Sequence, residues 1–85
     1  MSEEKANPVR QAILDLTTEA GPGKTISAEQ AARAVSDANF QRVLKDVRAE
    51  AGRLHKAGTV LIYRKGKPVE DPDVFKGVYR LGLPA

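Results

Sequence analysis

Residues 25–58 read TISAEQAARAVSDANFQRVLKDVRAEAGRLHKAG, and this stretch decides the fold. Its second half repeats apolar residues at the spacing of one helix face, namely Phe40, Val43, Leu44, Val47, Ala51 and Leu54. Gly58, which follows Lys56, is typical of a helix end. We therefore expect a long third helix whose apolar stripe packs into the core.

The first half of the stretch predicts a shorter helix before it. Ser27 and Gln30 form the Ser-x-x-Gln variant of a capping box, which marks a helix start. The residues expected to face inward from this second helix are Ala31, Ala34 and Val35. Residues 36–39 are mostly capping types, so they end the second helix and begin the third. Two helices joined by so short a turn predict a helix-turn-helix.

A further helix precedes this pair. Asn7 is a good N-cap and Pro8 a favoured first helical residue, and apolar residues follow at helical spacing as far as Ala20. The Gly-Pro-Gly sequence at 21–23 ends this first helix. Residues 24–26 are interpreted as a short extended segment that leads into Ser27.

Two strands are expected after the third helix. Residues 59–63 are rich in β-branched and aromatic side chains, and residues 77–81 are the returning strand that pairs antiparallel with them. Residues 65–68 turn the chain, and an irregular acidic loop follows. Because a lone hairpin is only marginally stable, its apolar face requires the helices as cover.

The chain has 85 residues, which is the size of one domain without room for a second core. The order of helices and strands predicts an α+β fold of the winged-helix type, in which a three-helix bundle with a helix-turn-helix is flanked by a small antiparallel β-hairpin wing. We expect residues 7–85 to form this domain and residues 1–6, which are polar and unpatterned, to be a disordered tail.

Composition limits the chemistry. The chain has no cysteine and one histidine, so we expect no metal and no other cofactor. A 41% share of hydrophobic residues is ordinary for a globular protein, and no run approaches the length of a membrane span. No signal segment begins the sequence, and we expect a soluble cytoplasmic protein that does not bind membranes.

Positive charge is concentrated in the C-terminal half. Residues 38–85 have ten Lys and Arg against five Asp and Glu, whereas residues 1–37 have four against six. On the third helix, the face opposite the apolar stripe contains Arg42, Lys45, Ala49, Arg53 and Lys56. Gly52 lies beside this face, and Asp46 and Glu50 form one flank. A basic face with small residues at its centre is suited to a phosphate backbone or a major groove, but the same pattern also occurs on solvated helices with ordinary i,i+4 pairs.

A second basic cluster, Arg64, Lys65 and Lys67, lies at the predicted turn, and Lys76 and Arg80 follow. Such a hairpin can contact phosphate or the minor groove beside a recognition helix. Alternatively, the lysines only discourage the strand edge from pairing with another chain. The acidic loop that follows disfavours DNA at its own position.

Other motifs have simpler interpretations. Residues 21–25 end like a phosphate-binding loop, but the first glycine of that motif is replaced by Thr18 and a helix precedes it, so we do not assign nucleotide binding to it. We expect His55 to pack or to cap its helix, and Tyr63 and Tyr79 to pack across the hairpin. Because no set of nucleophile, base and orienting group is visible, we expect no enzymatic activity.

The ordered residues also resemble a known family. The resemblance rests on Thr25-Ile26-Ser27, Ala31-Ala32-Arg33-Ala34, Val47-Arg48, Leu54, Gly58, Lys65-Gly66, Val69, Lys76-Gly77 and Arg80-Leu81. This pattern is similar to that of the bacterial DUF3253 family, a small domain of unknown function placed among winged helices. The resemblance implies a winged-helix fold and no particular activity.

The residues therefore favour one function over another. The basic stripe and the basic turn indicate double-stranded DNA as the partner, bound by the third helix and the wing. The alternative is a winged-helix module that binds another protein without nucleic acid, because a fold does not fix a function. The sequence does not indicate an oligomeric state.

Overall fold

Three helices and four short strands follow one another along the chain. A computed structural model describes residues 7–84, so the predicted tail at residues 1–6 lies outside the described residues. The helices are α1 (Pro8–Ala20), α2 (Ala28–Val35) and α3 (Phe40–Ala57). The strands are β1 (Thr25–Ser27), β2 (Leu61–Arg64), β3 (Lys67–Pro68) and β4 (Arg80–Gly82). The architecture is α+β, as the sequence predicts.

Local signals set the helix ends. The Asn7 side chain accepts a hydrogen bond from the Arg10 backbone N–H at 3.1 Å, which caps α1. At the start of α2 the Gln30 backbone N–H donates to the Ser27 hydroxyl, and the Ser27 N–H donates to the Gln30 side chain, so the predicted capping box is confirmed. Gly58 ends α3 with a φ of +78°, a left-handed conformation that favours glycine.

The strands form one antiparallel sheet with the order β1-β4-β2-β3. The predicted pairing of the last strand with the first strand after α3 is confirmed, because Leu81 lies opposite Ile62. The sheet has more strands than the predicted hairpin, since β4 also pairs with β1 and the short β3 pairs with β2. The expectation of a plain turn over 65–68 is therefore wrong in part. Only Lys65 and Gly66 form the turn, and both have positive φ, as a two-residue hairpin requires.

The core lies between the helices and one face of the sheet. Ile62 and Leu81 are fully buried on that face, against Ile13 of α1 and Val47 of α3. The prediction for α2 needs a correction, since Ala34 is exposed while Ala32 is buried together with Ala31. A turn of about 100° per residue points Ala34 away from a face centred between Ala31 and Ala32. Within residues 7–84, no helix combines the length and apolar character that crossing a membrane requires.

Candidate nucleic-acid interface

The predicted basic residues of α3 lie on its exposed side. Fully buried Val47 and Ala51 fix the inward face, and the side chains on the opposite side are exposed. These exposed residues are Arg42, Lys45, Ala49, Arg53 and Lys56. The helix therefore presents cations to solvent along its whole length, with one small side chain at the centre.

The cations of this face differ in whether their charge is already neutralised. Arg53 donates to the Glu50 carboxylate at 2.6 Å, and Lys56 lies 2.7 Å from the Asp73 carboxylate. Among residues 7–84, neither Arg42 nor Lys45 has an acidic partner within salt-bridge distance. The cations that remain available to a ligand are concentrated in the N-terminal half of α3.

Glu50 does not lie on an exposed flank, and that expectation is wrong. Its side chain is only 3% exposed, and it accepts hydrogen bonds from Asn7 at 3.1 Å, Arg10 at 2.7 Å and Arg53 at 2.6 Å. Burial alone would raise the pKa of Glu50, but the bonds from Arg10 and Arg53 outweigh this effect and hold the pKa below its ordinary value. The sequence contained a signal for this burial, because position 50 lies in the same i, i+3, i+4, i+7 stripe as Val47, Ala51 and Leu54.

The loop between β3 and β4 folds back onto α3. Arg48 donates to the Phe75 backbone carbonyl at 2.6 Å, and its guanidinium lies 3.9 Å from the centre of the Phe75 ring. Phe75 is buried and meets Tyr79 edge to face, with 5.1 Å between the ring centres. Gly52, which we expected beside the accessible basic face, is covered by this loop next to Pro72. One edge of the predicted face is therefore closed.

The hairpin supplies the second set of predicted cations. Lys65 and Lys67 are exposed at and beside the β2–β3 turn. Arg64 is half-buried, and its Nε donates to the Val78 carbonyl at 3.2 Å. None of these three cations has a salt-bridge partner among the described residues.

One groove brings helix and hairpin together. It has a volume of about 850 Å³, and its cationic lining consists of Arg48, Arg64, Lys67 and Lys76. The acidic residues Glu70, Asp71 and Asp73 line its loop side. Arg48 was not among the predicted site residues. Its role as the link between α3 and the loop could not be found from helix periodicity, because its partner is 27 residues away.

His55 and the two tyrosines contact neighbouring parts of the fold, although Tyr79 packs on Phe75 of the same loop and not across the hairpin as predicted. The Nδ1 atom of His55 accepts a hydrogen bond from the Ile62 backbone N–H at 3.0 Å and so joins the end of α3 to β2. The Tyr63 hydroxyl donates to the Leu83 carbonyl at 3.1 Å. Tyr79 is half-buried, and burial raises the pKa of its hydroxyl above the ordinary value.

Three helices packed on a small antiparallel sheet, with cations on one helix and on the hairpin that have no ion pair within residues 7–84, define a small basic α+β domain. The model of the family described as "Protein of unknown function (DUF3253)" matches residues 6–84, and the chain belongs to this family. The family resemblance seen in the sequence is thereby confirmed. No curated protein is significantly similar to the chain.

Proposed function

We propose that this domain is a cytoplasmic winged-helix module that binds double-stranded DNA through α3 and the β2–β3 hairpin. The element order supports the winged-helix interpretation, because a strand separates α1 from α2 and a hairpin follows α3. The last strand lies between the first strand and the strand after α3, which joins the hairpin to the helical part. In this interpretation α3 is the recognition helix and the hairpin is the wing.

The observation that supports DNA binding most strongly is the set of cations without protein partners. Arg42 and Lys45 on α3, together with Lys65 and Lys67 on the hairpin, are exposed and form no ion pair within residues 7–84. Four other exposed cations, Arg10, Arg33, Arg53 and Lys56, are held by carboxylates. When Lys and Arg side chains neutralise DNA phosphates, the counterions condensed on the DNA are released. This release drives association with DNA.

The position of these cations on α3 fits the proposed mode of binding. The N-terminal part of a recognition helix enters the DNA groove between the two phosphate backbones, and Arg42 and Lys45 lie in the first two turns of α3. Ala49 is small and exposed, so the helix can approach a groove closely at this point. Arg53 and Lys56, which are tied to carboxylates, contribute less to affinity than the sequence alone suggests.

The test replaces Arg42 and Lys45, the exposed cations of α3 that form no ion pair within residues 7–84. We expect Arg42→Gln with Lys45→Gln to weaken binding to duplex DNA by about tenfold or more, because two phosphate contacts are lost. The control is Lys24→Gln with Arg80→Gln, which removes two exposed cations outside the proposed interface. Equal affinity in the two double variants would contradict the assignment of α3, and thermal unfolding checks that both remain folded.

A protein-binding module is the second candidate. Val74 and Val78, both in the loop between β3 and β4, are 72% and 86% exposed. Large exposed apolar side chains are found at contact surfaces between proteins. If the domain shows no affinity for DNA at low salt, this loop becomes the preferred binding surface. In both cases the proposed role is binding without catalysis.

A further inference from the structure

A second groove opens next to the outer face of the sheet, away from the recognition surface on α3. It has a volume of about 750 Å³, which is in the size range of small-molecule sites. The start of β1, the β2–β3 turn and the segment that leads into β4 form its walls. Ile62 and Leu81 point from the other face of the same strands into the core, so the groove is independent of the packing of the helices.

The groove is strongly cationic. Lys24, Arg64, Lys65 and Arg80 line it, and no acidic residue does. Within residues 7–84 none of these four side chains forms a salt bridge. The groove between α3 and the hairpin differs in this respect, since three acidic residues line it. Four uncompensated cations around one space favour an anionic ligand.

The two arginines are held in place before any ligand binds. Arg80 donates from Nε to the Thr25 hydroxyl at 2.7 Å and from Nη2 to the Thr25 carbonyl at 3.1 Å. Arg64 donates from Nε to the Val78 carbonyl at 3.2 Å. A guanidinium has five N–H donors, so both arginines keep donors for an oxyanion, and planar donors of this kind match a phosphate well.

Aromatic and aliphatic side chains make up most of the remaining lining. Tyr63 lies directly opposite Arg80 in the strand register, and its hydroxyl is fixed on the Leu83 carbonyl. Tyr79 and Leu83 are half-buried, and Val78 is 86% exposed. A ligand that carries only a phosphate would leave these surfaces in contact with water, whereas a planar ring would cover them.

We propose that this groove binds a small phosphomonoester attached to a planar ring, the chemical class to which nucleoside monophosphates belong. Arg64, Arg80, Lys24 and Lys65 hold the phosphate, and the tyrosine side of the groove accommodates the ring. Residues 21–25 do not form a glycine-rich phosphate-binding loop, so Lys24 attracts the phosphate through its charge alone. The site shares Arg64 and Lys65 with the hairpin of the proposed DNA interface, but its ligand class is different and it does not depend on α3.

An NMR titration with adenosine 5′-monophosphate tests this site. We expect the chemical shifts of amides in residues 23–25, 65–66 and 78–80 to change and to level off as the site fills. The amide signals of α3 are expected to stay unchanged. Adenosine and inorganic phosphate, the two halves of the probe, are expected to bind at least about tenfold more weakly. Lys24→Gln with Arg80→Gln is expected to weaken binding of the monophosphate by about tenfold or more.

The controls separate this site from the DNA interface. Arg42→Gln with Lys45→Gln is expected to leave the affinity for the monophosphate unchanged, so either proposal can fail while the other holds. Lys24→Gln alone keeps the test valid if loss of the Arg80 bonds to Thr25 impairs folding, and we expect it to weaken binding about threefold. The absence of saturable shifts at about 10 mM ligand, equal affinity for inorganic phosphate, or unchanged affinity in the Lys24 variant would each overturn the proposal.

Discussion

At the scale of single residues, Gly82 and Gly52 differ sharply in the space that surrounds them. A Cβ atom at Gly82 would lie 2.8 Å from the Lys24 carbonyl oxygen, which belongs to the backbone and cannot move aside cheaply. A Cβ at Gly52 would meet Pro72 at 3.7 Å, an ordinary contact. We expect Gly82→Ala to lower the free energy of unfolding by about 1–3 kcal/mol.

Gly52→Ala is the matched control within the helix. Because alanine is favoured over glycine in a helix interior, we expect this variant to be unchanged or more stable by up to about 1 kcal/mol. Urea unfolding of both variants measures the two effects. If both variants lost a similar amount of unfolding free energy, the close contact between position 82 and the Lys24 carbonyl would not explain the glycine at position 82.

Glu50 provides a second residue-level prediction. Replacement by glutamine removes the negative charge that pairs with Arg10 and Arg53. Both arginine side chains are partly exposed, so water can hydrate them in the variant, which limits the loss of stability. We expect Glu50→Gln to cost about 1–3 kcal/mol of unfolding free energy at neutral pH. Asp46→Asn, an exposed carboxylate on the same helix, is the control and should stay within about 0.5 kcal/mol of the parent.

We expect the contribution of Glu50 to the free energy of unfolding to be lost at acidic pH. Since the pKa of this carboxyl is lower in the folded state than its ordinary value of 4.5, its contribution is complete above that value and is lost as pH falls below it. The difference in stability between the parent and Glu50→Gln is therefore expected to shrink between neutral pH and about pH 3. A difference that stays constant over this range would contradict the charge-based explanation.

At the scale of elements, the β2–β3 turn combines strain with charge. Lys65 has a φ of 53° and precedes Gly66, whereas Asn-Gly is the preferred sequence for such turns. We expect Lys65→Asn to raise the free energy of unfolding by about 0.5–1 kcal/mol, because asparagine tolerates the left-handed region better than lysine. The same variant should bind DNA more weakly, with the salt slope reduced by about one.

Lys67→Gln separates the loss of charge in Lys65→Asn from its relief of backbone strain. Lys67 lies in β3 opposite Arg64 and its φ is not positive, so its replacement removes charge without relieving the backbone. We expect the same loss of DNA affinity with stability unchanged within about 0.5 kcal/mol. Thermal unfolding and DNA titration of both variants distinguish these outcomes. Full DNA affinity in both would exclude the hairpin from the interface.

The loop between β3 and β4 depends on Arg48 for its position. Replacing Arg48 with methionine removes both the bond to the Phe75 carbonyl and the stacking on its ring. We expect amide hydrogens of residues 73–79 to exchange faster in Arg48→Met, while those of α3 keep their protection. Arg42→Met is the control, since Arg42 is exposed and has no ion pair among the described residues. Unchanged exchange in the loop would show that other contacts hold it.

At the scale of the whole molecule, the elements that the sequence predicts are those with local signals. Each predicted helix end depends on residues close together in the chain. The three signals are Asn7, the Ser27–Gln30 capping box and Gly58, and the structure confirms all three. The periodicity of α3 likewise separates its buried and exposed sides. The predictable part of the candidate site follows from these local patterns, including the exposure of Arg42 and Lys45.

The parts that the sequence could not predict depend on residues far apart in the chain. Glu50 bonds to Arg10 across 40 positions, and Arg48 reaches Phe75 across 27. The pairing of β1 with β4 joins Thr25 to Gly82 across most of the domain. The ion pair between Lys56 and Asp73 is also formed between α3 and a distant loop, so the proposed DNA interface could be narrowed only from the folded structure.

The most direct test of the proposed function is the salt dependence of binding to mixed-sequence duplex DNA, measured by fluorescence anisotropy between about 50 and 200 mM salt. Because Arg42, Lys45, Lys65 and Lys67 form no ion pair with the described residues, we expect log K to fall against log salt with a slope of about −3 to −5. Arg42→Gln with Lys45→Gln should make that slope shallower by about two. No binding at the lower salt concentration, or an unchanged slope in the double variant, would contradict DNA binding through α3.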